Sequence, residues 1–430
     1  MKVNIITLGC SKNTVDSENI AGHLRKAGID VYFDRAKNDC DVVIVNTCGF
    51  IGDAKEESVN TLLQQVEVKT NGRKRRRIIA AGCLVERYRD ELRREIPEID
   101  AFYGVHEWDD LIKSLVRDSR ASFEAERTLS TPTHYGYLKI SEGCNRRCAY
   151  CAIPMIRGAH KSRPIDDLVA EAQQMVEGGV KEIIVIAQDT TYYGRDLYGR
   201  CRLGDLLERL ATESGAAWIR LHYTFPTSFP EDAIEVIRRH DNICNYIDIP
   251  LQHIDSGILR SMQRGIDREG TLCLLEKFRQ QLPDVAIRTT LIVGYPGETE
   301  EQFQELKQFV ADTRFDRMGV FAYSPEEGTP AYALGDPVEE AEKQRRVDEL
   351  MALQEQISLE KNEAKVGHTF KTIIDRQESD YWVGRTEYDS PEVDDEVLVY
   401  SSRPLKIGEF YDVTITEALE NDLIGTLQTS

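Results

Sequence analysis

No stretch of the 430-residue chain approaches the ~18 consecutive apolar residues that a membrane span requires, which sets aside a helical membrane protein. The opening, MKVNIITLGCSKN, carries one lysine and only a short apolar run before polar residues, unlike a signal peptide. Internal repeats and low-complexity tracts are also missing, so solenoids and tail-like segments are not expected. Basic charge is in deficit: 54 Lys and Arg against 74 Asp and Glu give a net charge of -20. A generic nucleic-acid binder needs the opposite balance to meet phosphates, so a basic partner or a small ligand fits better.

What remains is an ordinary globular composition, 41% hydrophobic and 30% charged, at a length suited to about three domains. The expected compartment is the cytoplasm. Thiols stay reduced there, so the ten cysteines are not read as a disulfide framework, and some should be ligands.

Up to residue ~125, short apolar runs (VNIITLG, VVIVNTC, RIIAAGC) alternate with amphipathic ones (SENIAGHLRKAG, KEESVNTLLQQVEV, VERYRDELRREI). This predicts an α/β, doubly wound parallel sheet, with Asp16 or Ser17 capping the first helix and Gly28 ending it. RDSRASFEAERTLSTPTHYG reads as a linker. Between Tyr135 and Tyr332, six further strand candidates (YLKIS, EIIVIAQ, WIRLHYT, YIDIPLQ, IRTTLIVG, RMGVFAYS) alternate with helical runs, the pattern of a partial (β/α)6 barrel. A long polar helix leads to alternating strands after Gly367 that predict a small antiparallel β-barrel. The expected domains are therefore 1–125, 133–362 with the trailing helix, and 365–430.

SEGCNRRCAYC places Cys144, Cys148 and Cys151 in a C-x3-C-x2-C array without a fourth ligand. Structural zinc wants four closed ligands, and free thiols would need no such spacing. Three thiolates on an iron-sulfur cubane leave one iron open to bind a substrate. The array follows the first barrel strand and so falls at the C-terminal mouth, where barrel active sites are built. Cys10, Cys48 and Cys83 each end a strand of the first domain, and the carboxyl ends of parallel strands share one edge, so these thiols are expected to converge on a second site. Cys40, Cys201, Cys244 and Cys273 have no such placement and read as structural.

C-x3-C-x2-C, with Tyr150 before its last cysteine, resembles the radical S-adenosylmethionine enzymes. Together with GCSKNTVDSE, NTCGFI and GYPGET the chain resembles the methylthiotransferases within them, which join a cluster domain, a radical barrel and a TRAM barrel. The resemblance implies two 4Fe-4S clusters, with Cys144, Cys148 and Cys151 holding the one that cleaves S-adenosylmethionine and Cys10, Cys48 and Cys83 holding the one that carries sulfur. No catalytic side chain beyond these ligands is implied. Tyr150, Gln188, Asp189, Gly294 and Gly297 are candidate cofactor contacts at the barrel mouth, although a plain strand-to-helix turn explains any one of the glycines nearly as well.

KNTVDSE, YSPEEGTPAY and SPEVDDEVLV resemble the branch that modifies an aspartate of the small-subunit ribosomal protein S-twelve, with serine in place of the usual proline after Cys10. The alternatives are the branch that modifies transfer-RNA adenosine, an iron-sulfur electron carrier and a zinc-dependent binding module. From Lys365 onward six Lys and Arg face fourteen Asp and Glu, and Glu387, Asp389, Glu392, Asp394, Asp395 and Glu396 crowd one segment. That segment is expected either to face a basic ribosomal protein or to be a solvated surface. RKRRR, Arg73 to Arg77, reads as a solvated turn or a contact to ribosomal RNA. A flavodoxin or ferredoxin is the expected electron donor, and no membrane partner is expected.

Overall fold

The computed structural model describes residues 1–37, 39–71, 76–116 and 127–427, and the chain divides into two compact units. One comprises Met1–Thr131 with Glu142–Arg146 and Cys151–His160; the other comprises Pro132–Ser141, Arg147–Tyr150 and Lys161–Ser430.

In the first unit, strands β1 (Lys2–Thr7), β2 (Asp30–Phe33), β3 (Val42–Thr47), β4 (Arg77–Gly82) and β5 (Ala101–Tyr103) form a parallel sheet in the order β2-β1-β3-β4-β5. The doubly wound expectation holds, and β2 and β5, too short to announce themselves in the sequence, complete it. Val3, Ile5, Ile44 and Ile79 pack one face; Val43, Val45, Ile78 and Ala80 pack the other. Strand order reverses between β1 and β3, and in such sheets ligands gather outside the carboxyl ends at that switch point.

The first helix, Ser11–Lys26, starts earlier than expected, with Cys10 at its N-cap. Asp16 and Ser17 are therefore not caps but buried interior positions, and Gly28, at φ +77°, closes the helix as expected. The segment read as a linker is described only from residue 127 onward. Buried Glu18 receives the Ser130 backbone N–H at 2.6 Å and its hydroxyl at 2.9 Å, and pairs with Arg127 at 3.2 Å, so residues 127–130 are anchored. Residues 117–126 lie outside the described residues.

In the second unit, six strands (Tyr135–Lys139, Glu182–Ile186, Trp218–Leu221, Tyr246–Asp248, Ala286–Val293 and Arg317–Ala322) run parallel in two three-stranded sheets joined by a bridge between Ile219 and Ile243. This is the six-stranded partial barrel. The long helix Glu340–Glu363 forms as expected, but its polar face is not all solvent-facing. Lys343, Arg346, Gln354, Ser358 and Asn362 are buried with Leu350 and Ile357.

The C-terminal strands close a five-stranded barrel in the order Thr369–Glu378, Tyr381–Arg385, Glu396–Tyr400, Asp422–Leu427, Phe410–Ala418. Its antiparallel pattern has one exception: Glu396–Tyr400 pairs parallel with Asp422–Leu427. It packs against the amino-terminal ends of the larger barrel's strands, where Trp218, Tyr246 and Ala286 meet Ile373, Tyr388 and Phe410.

That packing overturns the expectation for the acidic segment. Asp389 pairs with Arg317, as does Asp395 at 3.2 Å; Asp394 meets Arg288 at 3.2 Å and accepts from the Tyr246 hydroxyl at 2.6 Å. Glu392 accepts from Tyr135 and Tyr137 at 2.9 and 3.2 Å. These carboxylates fasten the small barrel to the base of the large one, at the end opposite the cysteine loop, and are neither a docking face nor a solvated surface. Of the basic run, Arg73 to Arg75 lie outside the described residues, Arg76 is buried and bonded to Gln65, and Arg77 reaches the Ser114 carbonyl.

Candidate functional site

The carboxyl edge of the first sheet is organised by KNTVDS. Asn13 is fully buried, and its amide donates to the carbonyls of Leu8 (2.8 Å) and Thr47 (3.2 Å), pinning the ends of β1 and β3 beside each other. Asn46 donates to the Asn13 carbonyl and the Ser17 hydroxyl, both at 2.9 Å, and Thr47 donates to the Ala81 carbonyl at 2.6 Å, which adds β4. Cys48 and Cys83 follow the ends of β3 and β4 directly, and Cys10 follows β1 after Leu8 and Gly9.

Close backbone approach brings the thiols together. Gly9 adopts φ +90°, and a Cβ on it would lie 2.7 Å from the Cys48 Cβ and 2.8 Å from its Sγ; Gly82, at φ +96°, would press a Cβ to 2.7 Å from the Thr47 carbonyl. Ser58, from the next helix, holds both the N–H and the C=O of Cys48 at 3.0 Å. Cys10 and Cys83 sit at helix N-termini, where the dipole favours a thiolate.

The electrostatics are uneven. Burial works to raise the Cys10 thiol, but Lys12, Arg157 and the N–H groups of Asn13 and Lys12 outweigh it and hold it below the ordinary value. Burial pushes Cys83 up to about 12 against the pull of Arg157, and burial together with the neighbouring Cys10 raises Cys48. Among the described residues, no three His, Cys, Asp or Glu side chains close around a single metal ion. Three mutually interacting thiols, with glycines leaving space beside them, fit the larger body of a cubane.

Arg157, which the sequence does not single out, is drawn into this site. It lies on the helix Ile153–Arg157 that follows the cysteine array, and its side chain joins Asp16, Asn13, Glu142 and Cys83. Within the same unit the Cys144 N–H donates to Gly158 at 3.1 Å, and Gly143 is required because the Gly158–Ala159 backbone passes directly over its α-carbon.

In the second unit, Cys148 is buried, and Arg264 donates to its sulfur at 3.4 Å and to the Tyr150 hydroxyl at 3.2 Å. Arg264 itself is buried, stacked 4.1 Å from the Phe225 ring, with its Nε unpartnered. Ala149 is clamped between the Met262 carbonyl and the Ala331 N–H, at 2.9 and 2.8 Å, so the YSPEEGTPAY segment steadies the residue before Tyr150.

The remaining candidates lie at the same carboxyl end of the barrel. Gln188 is half-buried after the second strand; Asp189 is buried and accepts from the Thr191 hydroxyl at 2.5 Å, shaping the turn. Gly294 and Gly297 have φ of +72° and +90°. A Cβ on Gly294 would collide with the Lys343 side chain, whereas one on Gly297 would meet nothing within 4 Å. Glu298, beside them in GYPGET, was not singled out, yet it is buried and receives the Gly294 N–H, Arg346 at 3.1 Å and His253 at 3.4 Å. Among the other cysteines, Cys40 and Cys244 are buried and Cys201 donates to the Thr191 carbonyl, but Cys273 is exposed and has no packing role.

Three family models match successive parts of the chain: an uncharacterized protein family, UPF0004, over residues 2–104, the radical SAM superfamily over 138–310, and the TRAM domain over 366–427. A relative from Phocaeicola vulgatus named ribosomal protein uS12 methylthiotransferase RimO is 52% identical over 99% of both chains. The chain belongs to this methylthiotransferase family. A relative of the same name from Flavobacterium johnsoniae is 53% identical over 99% of this chain and 97% of its own. The family is one of radical SAM enzymes, as the array at Cys144 implied. Among solved structures, the radical S-adenosylmethionine methyltransferase TsrM from Kitasatospora setae shares the fold at 12% identity, TM-score 0.56, over 77% of this chain and 73% of its own. The enzyme OxsB does so at TM-score 0.52 over 83% and 56%.

Proposed function

We propose that this chain adds a methylthio group to the β-carbon of an aspartate in ribosomal protein uS12 in the cytoplasm, using two 4Fe-4S clusters and S-adenosylmethionine. The observation that carries the reading is the gathering of Cys10, Cys48 and Cys83 at the switch point of one sheet, in a chain that also holds the Cys144, Cys148, Cys151 array. The division of labour follows the domains 1–125, 133–362 and 365–430.

When bound, the clusters and S-adenosylmethionine supply a carbon-centred radical and a sulfur source, chemistry that side chains cannot perform. The chain's own residues orient and insulate. Arg264 fixes the Cys148 sulfur and the Tyr150 hydroxyl. Of the five proposed cofactor contacts, Tyr150, Gln188 and Gly297 present a ring, an amide and an open backbone to the ligand, and Asp189 and Gly294 shape the loops that carry them. At the other site Asn13 and Ser58 fix the backbones that carry the ligating sulfurs.

A flavodoxin or ferredoxin as electron donor and a ribosomal RNA contact through the run Arg73 to Arg77 complete the reading. Arg76 is buried and does not join that contact. The test is anaerobic incubation of the reconstituted enzyme with uS12 and, separately, with transfer RNA, followed by mass spectrometry. Methylthiolation of one uS12 aspartate supports the proposal; modification of transfer-RNA adenosine alone overturns it.

A further inference from the structure

Arg157 belongs to neither cysteine triad, yet its side chain is only 2% exposed and makes four contacts within the first unit. Its Nη1 meets Asp16 Oδ2 at 2.7 Å and Glu142 Oε2 at 3.1 Å; its Nη2 meets Asn13 Oδ1 at 2.5 Å and Cys83 Sγ at 3.3 Å. Asp16 is buried, at 3% side-chain exposure, and Glu142 is at 30%. Three of these contacts go to the oxygens of two carboxylates and an amide. The fourth contact instead gives one N–H to sulfur.

That contact acts on a redox centre in a definite direction, if Cys83 is a cluster ligand as proposed above; the inference rests on that reading. One-electron reduction adds a negative charge to a cluster and its thiolates, with no bond made or broken. A cation donating to a ligand sulfur stabilises the reduced form more than the oxidised one, and the effect is strong where water is excluded. Asp16, on the far side of the same guanidinium, opposes it. We propose that Arg157 is a positioning residue that holds the Cys83 sulfur and raises the reduction potential of the amino-terminal cluster, with Asp16 as the counter-charge that limits the rise.

The two charges give the proposal a signature that loss of packing does not share. The experiment uses the full chain carrying Cys144→Ala, Cys148→Ala and Cys151→Ala, so that one cluster remains. Iron content and an anaerobic dithionite titration followed by electron paramagnetic resonance are then read with Arg157→Gln, Arg157→Lys and Asp16→Asn added singly. The midpoint should move to more negative potential in Arg157→Gln, to more positive potential in Asp16→Asn, and least in Arg157→Lys. A loaded cluster with an unmoved midpoint in Arg157→Gln, or a negative shift in Asp16→Asn, overturns the inference alone. If Arg157→Gln fails to retain iron, the sign of the Asp16→Asn shift decides. Absence of iron from the parent triple variant removes the ligand reading and the inference with it.

Discussion

Arg220 and Glu182 form an ion pair, Nε to Oε1 at 2.7 Å, in which neither side chain has any solvent exposure. Arg385 of the small barrel meets the other oxygen of Glu182 at 2.6 Å and continues to Asp375, which bonds His134 at 2.7 Å. One carboxylate thus compensates two buried guanidiniums, one from each barrel. Replacing Glu182 with alanine would leave both charges without that partner, and removing one member of a buried pair costs about 3–5 kcal/mol. Denaturant unfolding should report a loss of this size; a loss below about 1 kcal/mol would show that the chain is not a structural joint.

A second joint titrates. Burial, opposed by Arg317 and assisted by Asp389, raises the Asp395 carboxyl to about 7, while Asn362 and Lys365 also face it. An acid whose folded pKa exceeds its unfolded one binds the proton more tightly when folded, so its contribution falls as pH rises between about 4 and about 7. Asp389 has the opposite shift: Arg317 and Lys365 hold it low despite burial, so its stabilisation is present at neutral pH and lost in acid. Asp395→Asn should therefore flatten the decline in thermal stability between about pH 4 and about pH 7. An unchanged slope in that variant would exclude Asp395 as its source.

The two mouth glycines separate packing from ligand approach. Both have positive φ, a strain of about 1–2 kcal/mol for alanine. Gly294→Ala adds a collision with Lys343 and should be the more destabilising by thermal melting; Gly297→Ala opens onto free space and should lower affinity for S-adenosylmethionine out of proportion to its effect on stability. The reverse ranking in either measurement would count against Gly297 as a cofactor contact.

The sequence makes the cysteines readable because each follows a strand whose hydrophobic run is unmistakable, and parallel strands put their ends on one edge. The barrel strands are readable for the same reason. Arg157 is not: its partners Asn13 and Asp16 lie 144 and 141 residues away, and an arginine in IPMIRG gives no sign of burial. The acidic segment misleads because charge is visible in sequence while burial is not. Arg288 and Arg317, which neutralise it, sit in barrel strands that read only as apolar runs. Asp16 and Ser17 look like helix caps by composition, but Cys10 takes that position and frees both for tertiary contacts.

The central claim, two cysteine sites with different tasks, is tested most directly by measuring deoxyadenosine and methylthiolated uS12 in parallel for Cys151→Ala and Cys83→Ala. Cys151→Ala should abolish both, because two thiolates cannot hold the cluster that cleaves S-adenosylmethionine. Cys83→Ala should keep cleavage and lose product. Loss of deoxyadenosine in a folded Cys83→Ala protein that retains its barrel cluster, or full methylthiolation by it, would contradict the account.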